Sequence, residues 1–202
     1  VVTTIFMILF GVNFSVYYLI LTKKFRQAFK YEEVRYYFGI IIASILIITF
    51  NTVHLFRNVL VAFQQVAFQV ASIITTTGFS SADFNQWPAL SKTVLVLLMF
   101  VGACAGSTGG GIKVSRILIL CKAAKKEFQL YLHPNAIKKI KMDNKIISHE
   151  ILRSTNIYIS VYLLIFAASV LLIAIDNFDL ITNFTAVAAT LNNIGPGFEI
   201  AG

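Results

Sequence analysis

The sequence predicts an all-α integral membrane protein built of repeated helix–loop–helix units with short re-entrant helices. Three observations lead there: the composition, the spacing of uncharged apolar runs, and two short apolar segments that each end in a polar glycine loop. Of the 202 residues, 57% are hydrophobic, and the mean hydropathy is +0.78. A soluble domain carries about half apolar residues. Four runs approach or exceed the roughly 20 apolar residues needed to cross a bilayer: 1–21, 36–56, 93–121 and 154–175.

Residues 1–21 carry no charge. A signal peptide would place basic residues before its apolar run and a small-residue cleavage site after it; here the basic residues follow the run and no such site is present. The segment is therefore expected to be one membrane crossing, entered part-way along a longer protein. The connector after it holds Lys23, Lys24, Arg26, Lys30 and Arg35, and a later one holds Lys122, Lys125, Lys126, Lys138, Lys139, Lys141, Lys145 and Arg153. The remaining connectors contribute only Arg57 and Lys92 to the net charge of +8. The positive-inside rule puts the two basic connectors in the cytoplasm of a multi-pass protein of the cell membrane. That orientation accounts for the lysines without a nucleic-acid partner.

Residues 36–56 then run outward and 93–121 return. Between them lies Val59–Ile74, "VLVAFQQVAFQVASII". A 16-residue helix is about 24 Å long, short of a hydrocarbon core of roughly 30 Å. A full crossing there would also place the lysine-rich connector outside. A short helix that dips in, followed by "TTTGF" climbing back out, satisfies both constraints. The pattern recurs after 154–175, where "FDLITNFTAVAATL" ends in "NNIGPGF". A shift of 117 positions sets Gly78 on Gly195, Thr76 on Asn193 and Thr77 on Ile194.

Irregular backbone at membrane depth survives only where it is buried in protein or faces a watery cavity. Its carbonyls can replace the hydration shell of a cation, and the partly negative C-terminus of the preceding helix favours the same sign of charge. Gly78 and Gly195 would let the backbone turn those carbonyls inward, with Thr76, Thr77 and Asn193 adding oxygens or bracing the loop. The alternative for each loop is a tight external turn. Two loops in matching positions favour the filter.

"GACAGSTGGGIKVSR" at 102–116 interrupts the returning span. Glycine costs a helix about 1 kcal/mol relative to alanine, so Gly106, Gly109, Gly110 and Gly111 predict unwinding. The stretch is not a phosphate-binding loop, because Ile112 separates Gly111 from Lys113 and Val114 stands where Ser or Thr is required. Two readings remain. Gly102, Gly106 and Gly110 satisfy G-x-x-x-G packing between helices, or the segment formed by Gly106, Ser107, Thr108, Gly109, Gly110 and Gly111 is a loop obstructing a pathway. Lys113 and Arg116 are costly in hydrocarbon and should face water, an acidic partner or the inner mouth, or snorkel to the interface.

"TTTGFSSADF", "GSTGGGIK", "NNIGPGF" and, more weakly, "GVNFSVYY" together resemble the Trk/Ktr/HKT superfamily of potassium transporters, in particular its bacterial Trk-type uptake subunits. The resemblance implies helix–pore loop–helix units with re-entrant pore helices around one pore. Residues 1–34 would close a preceding unit and form a connector. Residues 35–130 would be a third-type unit, 131–153 a second connector, and 154–202 a fourth-type unit without its last helix. Thr76, Thr77 and Gly78 would form one quarter of a potassium filter, and Asn193, Ile194 and Gly195 another. Gly106–Gly111 would be an intramembrane gating loop, with Lys113 and Arg116 as associated basic residues. The transported ligand would be K⁺ with no cofactor. A homodimer and a cytosolic nucleotide-binding regulatory subunit would be the partners.

The remaining candidates read more plainly. Glu32 and Glu33 are expected to form a solvated charge cluster among basic residues. Asp83 and Glu199 follow the two loops, either as scattered carboxylates or as an external cation-concentrating pair. Trp87 is expected to mark the outer interface. Residues 123–153 are expected to form amphipathic helices on the membrane surface or a docking face. Cys104 and Cys121 lack metal spacing and read as packing residues. No catalytic constellation is present. Besides a potassium pathway, two functions from other classes fit: a secondary transporter of a small anionic substrate, and a scaffold subunit without a pathway. In the first of these, half-helix N-termini would point at the substrate; here the loops follow C-termini.

Overall fold

The computed structural model describes residues 1–133, 139–143 and 145–199. Parts of the second connector (134–138 and 144, with Ile137 and Lys138) and residues 200–202 lie outside the described residues. The helices are α1 (Val2–Phe10), α2 (Phe14–Leu21), α3 (Phe25–Ala28), α4 (Glu32–Thr52), α5 (Val59–Ile74), α6 (Ala89–Phe100), α7 (Val114–Leu132), α8 (His149–Ile173) and α9 (Leu180–Leu191). A hairpin of β1 (Lys141–Met142) and β2 (Lys145–Ile146) precedes α8.

The chain is an all-α integral membrane protein. With their 3-10 extensions, α4 and α8 form apolar rods over Glu32–Leu55 and His149–Asp176, with mean hydropathies of 2.0 and 2.5. At 1.5 Å per residue both exceed a hydrocarbon core. Their outer faces leave Ile42, Leu46 and Phe50, or Leu163, Leu164 and Leu171, exposed, a surface suited to lipid. α5 and α9 have 16 and 12 residues and end inside the protein, as their length predicts.

The first apolar run is not one straight helix; it is broken in the middle. α1 and α2 meet at 98° across Gly11–Asn13. Asn13 caps α2, its Oδ1 accepting from the Ser15 N–H at 2.8 Å, a favoured N-cap arrangement. Gly11 passes so near Tyr37 that a Cβ would lie 2.1 Å from the phenol oxygen. That hydroxyl, fully buried, donates to the Ile8 carbonyl at 3.0 Å.

The core surrounds the C-terminal half of α5. Val66, Val70, Ala71, Ile73 and Ile74 pack with Tyr37 and Ile48 of α4 and with Leu95, Leu98 and Met99 of α6. On the far side of α6, Phe100 meets Phe166 of α8 and Phe184 of α9. Small side chains on α5, Ala62, Ala67 and Ala71, allow this close approach.

Two local expectations are corrected. Trp87 is a core residue with 4% exposure, set edge-on to Phe56; it anchors the turn into α6 instead of an interface. The second connector is not helical throughout. α7 carries the helix to Leu132, and the hairpin follows. Asp143, at φ 51°, turns the hairpin, and its carboxylate accepts from the Glu32 N–H at 2.7 Å. Lys122 ties the same place together, pairing with Glu32 and donating to the Lys141 carbonyl.

Candidate functional site

α5 and α9 end in the same way, 117 positions apart. After α5, the Thr76 N–H donates to the Ile73 carbonyl at 3.1 Å and the Thr77 N–H to that of Ser72 at 2.9 Å. After α9, the Asn193 N–H donates to Thr190 at 3.0 Å and the Ile194 N–H to Ala189 at 2.7 Å. Each is a Schellman cap, with Thr76 (φ 55°) and Asn193 (φ 59°) at the left-handed position. Gly78 and Gly195 follow at φ 81° and 114°. The repeat, faint in sequence, is thus repeated bond by bond in the backbone. Asn accepts the left-handed region readily, but for β-branched Thr76 it costs about 1–2 kcal/mol. A contact with the glycine-rich segment holds it there.

The caps use carbonyls inside the helices and leave those beyond them free. Among the described residues, the carbonyls of 75–78 and of 192–195 accept no hydrogen bond. Thr77, Asn193 and Gly195 are exposed, whereas Ile194 is buried. The Thr75 and Thr77 hydroxyls pair at 2.8 Å. The two loops touch: a Cβ on Gly78 would lie 2.0 Å from the Ile194 carbonyl oxygen. Phe84 and Phe198, with ring centroids 4.8 Å apart, pack the loops together from behind.

The segment between α6 and α7 is unwound over 101–113. Its base is pinched by the Gly102 N–H on the Ile112 carbonyl at 2.7 Å and the Val114 N–H on that of Ala103 at 3.3 Å. Its tip lies against both helix ends. The Gly110 N–H donates to the Thr76 Oγ1 at 2.6 Å. A Cβ on Gly110 would meet the Asn192 carbonyl oxygen at 2.7 Å, and one on Gly109 the Thr75 carbonyl oxygen at 3.1 Å. Only glycine allows that approach. Gly102, Gly106 and Gly110 do not share a helix face, so the G-x-x-x-G packing alternative does not hold. Asn192 supports the contact from below, accepting from the Tyr162 hydroxyl at 3.0 Å and donating to Ala188 at 2.8 Å.

The basic residues are engaged within the protein. Lys113 donates to the Gly109 carbonyl, back into its own loop. Arg116, half-buried, stacks its guanidinium 3.8 Å over the Tyr158 ring of α8, a cation–π contact. Asp83 caps the turn at Phe84–Gln86, accepting from the Asn85 N–H at 3.0 Å. Glu199 is exposed, and its N–H donates to the Asn85 Oδ1 at 3.0 Å.

Two parts of the site are not anticipated from sequence. The break between α1 and α2 cradles the glycine-rich segment: the Cys104 N–H donates to the Gly11 carbonyl at 3.0 Å and the Phe14 N–H to that of Gly106 at 3.2 Å. Glu33 is no part of a solvated cluster. It is 3% exposed, and its Oε1 accepts from the Ala105 N–H at 2.6 Å and the Ser115 N–H at 3.1 Å. The available signal was an acid in the first turn of a long apolar helix.

The TrkH family, described as cation transport protein, matches residues 1–199. The chain is 34% identical over 204 residues to the "Trk system potassium uptake protein TrkH" of Escherichia coli K12, covering 98% of this chain and 42% of that protein. It is 40% identical over 141 residues to the protein of that name from Vibrio parahaemolyticus, covering 69% of this chain and 29% of that one. The crystal structure of the potassium transporter TrkH from Vibrio parahaemolyticus superimposes with a TM-score of 0.90 at 32% identity, covering 99% of this chain and 44% of the other. The chain thus spans under half the length of these relatives.

Proposed function

Because the chain belongs to the TrkH cation transport protein family, we propose that it supplies two of the loops that line a transmembrane potassium pathway. Thr76, Thr77 and Gly78 on one side, and Asn193, Ile194 and Gly195 on the other, would present backbone carbonyls to a dehydrated K⁺. The observation that carries this reading is the repeated helix end, a Schellman cap with carbonyls at 75–78 and at 192–195 that accept no hydrogen bond among the described residues. Each helix adds a fractional negative charge of about half an electron at its C-terminus. An ion leaving water needs a full shell of oxygens, and two loops supply only part of one. The rest would come from the longer protein of which relatives of this kind are made.

Residues 106–111 would be the gate. Their tip bonds Thr76 and abuts Asn192, so they lie against both loops where a permeating ion would pass. Lys113 would stabilise the closed form through its bond to Gly109, and Arg116 would fix α7 to α8 through Tyr158. The units keep the order expected from sequence, but the boundaries at 34/35, 130/131 and 153/154 fall inside α4, α7 and α8 and move to the ends of those helices; a homodimer and a cytosolic nucleotide-binding subunit on the basic connectors complete the proposal. An anion carrier is disfavoured because the loops sit at helix C-termini. Uptake of a radioactive rubidium tracer by a potassium-starved host expressing the complete reading frame tests the function. Uptake competed by K⁺ is expected; a correctly inserted protein without it would refute the proposal.

A further inference from the structure

Glu33 bonds both flanks of the glycine-rich segment, which lie 72 and 82 positions away from it in sequence. Ala105 immediately precedes Gly106, and Ser115 lies in the first turn of α7, just beyond Lys113. One carboxylate oxygen therefore holds the segment's entry and its exit to the start of α4. It also sits at the positive end of α7, where an anion is stabilised. The side chain is almost wholly buried, so a lost bond is not replaced by water. No other side-chain contact grips both flanks among the described residues. The tip is held by Thr76, and the base by backbone pairs.

A segment with four glycines in six positions has high conformational entropy and does not hold one shape by itself. Its closed placement must come from its anchors. We propose that Glu33 is a positioning residue that clips the two ends of this segment together and so sets the population of the closed gate. This role rests on the gating function proposed above. Among the described residues no hydrogen bond joins Glu33 to 75–78 or 192–195; it acts through where Ala105 and Ser115 are held.

The test uses the full-length protein in liposomes, with K⁺ flux normalised to inserted protein. Four forms are compared with wild type: Glu33→Ala, Glu33→Gln, a deletion of residues 107–110, and Glu33→Ala combined with that deletion. Glu33→Ala removes the acceptor and is expected to raise basal flux by about tenfold. Glu33→Gln keeps an oxygen in place and should restore flux to within about twofold of wild type. In the deletion background Glu33→Ala should add nothing, because the segment it positions is gone. Wild-type flux in Glu33→Ala, with raised flux in the deletion, overturns the clip and leaves the gate intact. A deletion that does not raise flux overturns the gate itself. Equal rises from Glu33→Ala with and without the segment also overturn the clip, since the effect would not pass through it. If Glu33→Ala fails to reach the membrane, Glu33→Asp carries the test. It keeps the charge and withdraws the oxygen by one methylene: raised flux supports the clip and unchanged flux overturns it.

Discussion

Gly78 and Gly195 occupy matching positions but are constrained differently. Both adopt positive φ, so any side chain there is strained by about 1–3 kcal/mol. At Gly195 the nearest atom to an added Cβ is 3.7 Å away, whereas at Gly78 the Ile194 carbonyl oxygen is 2.0 Å away. Gly78→Ser must therefore move a carbonyl of the opposite loop, and Gly195→Ser need not. Both variants are expected to lower K⁺ preference over Na⁺ in competition flux assays, with Gly78→Ser several-fold worse. Unchanged ion ratios in both would remove these glycines from any filter. Thr76 gives a second test. Thr76→Val keeps the shape and strips the oxygen that receives the Gly110 N–H. A lost bond of about 1 kcal/mol should raise basal flux about fivefold without altering ion preference, as measured in liposomes. Sequence pointed to all three residues. It could not say that Thr76 serves the glycine-rich segment, because that partner lies 34 positions away.

The short helices were legible as elements because their length excludes a crossing. α5 spans Val59–Ile74 as its apolar run predicts, and α9 starts two residues later than its run. The break over 101–113 was legible from glycine density. What that break does depends on its neighbours, and deleting residues 107–110 separates the cases. Because its tip lies against both glycine loops, shortening it is expected to raise basal K⁺ flux about tenfold or more and to leave K⁺ preference intact. Expression and thermal stability should change little, since residues 107–110 are not buried. Flux at or below wild type in well-inserted protein would rule out the gating role. The bend between α1 and α2 was not legible. Nothing in "FGVNFS" is more helix-breaking than one glycine and one asparagine. The bend is held by Tyr37 occupying the space that a side chain at position 11 would need, and by two bonds to a distant segment, Cys104 N–H to the Gly11 carbonyl and Phe14 N–H to that of Gly106.

At the scale of the molecule, charge and apolar length fix the arrangement in the membrane. The lysine-rich connectors should share the cytoplasmic side, with the 80–92 segment opposite. Single cysteines at Ser81 and Lys139, in a background lacking Cys104 and Cys121, can be probed in intact cells with an impermeant thiol reagent. Labelling is expected at position 81 and not at 139; labelling at 139 would reverse the orientation. The exposed apolar faces of α4 and α8 suit contact with lipid.

The sequence by itself determined the membrane class, the order of spans and short helices, the two glycine loops and the unwound segment between α6 and α7. Each of these follows from local physics: the apolar length needed to cross a bilayer, the helix cost of glycine, and the distribution of lysine. The tertiary structure alone decided that the α1–α2 run is bent, that Trp87 is core, that Arg116 stacks on Tyr158, and that Glu33 is buried beneath the glycine-rich segment. A carboxylate beside lysines reads as solvated until two distant N–H groups are placed upon it. Those positions depend on packing between residues 29 to 82 apart, which no local pattern encodes.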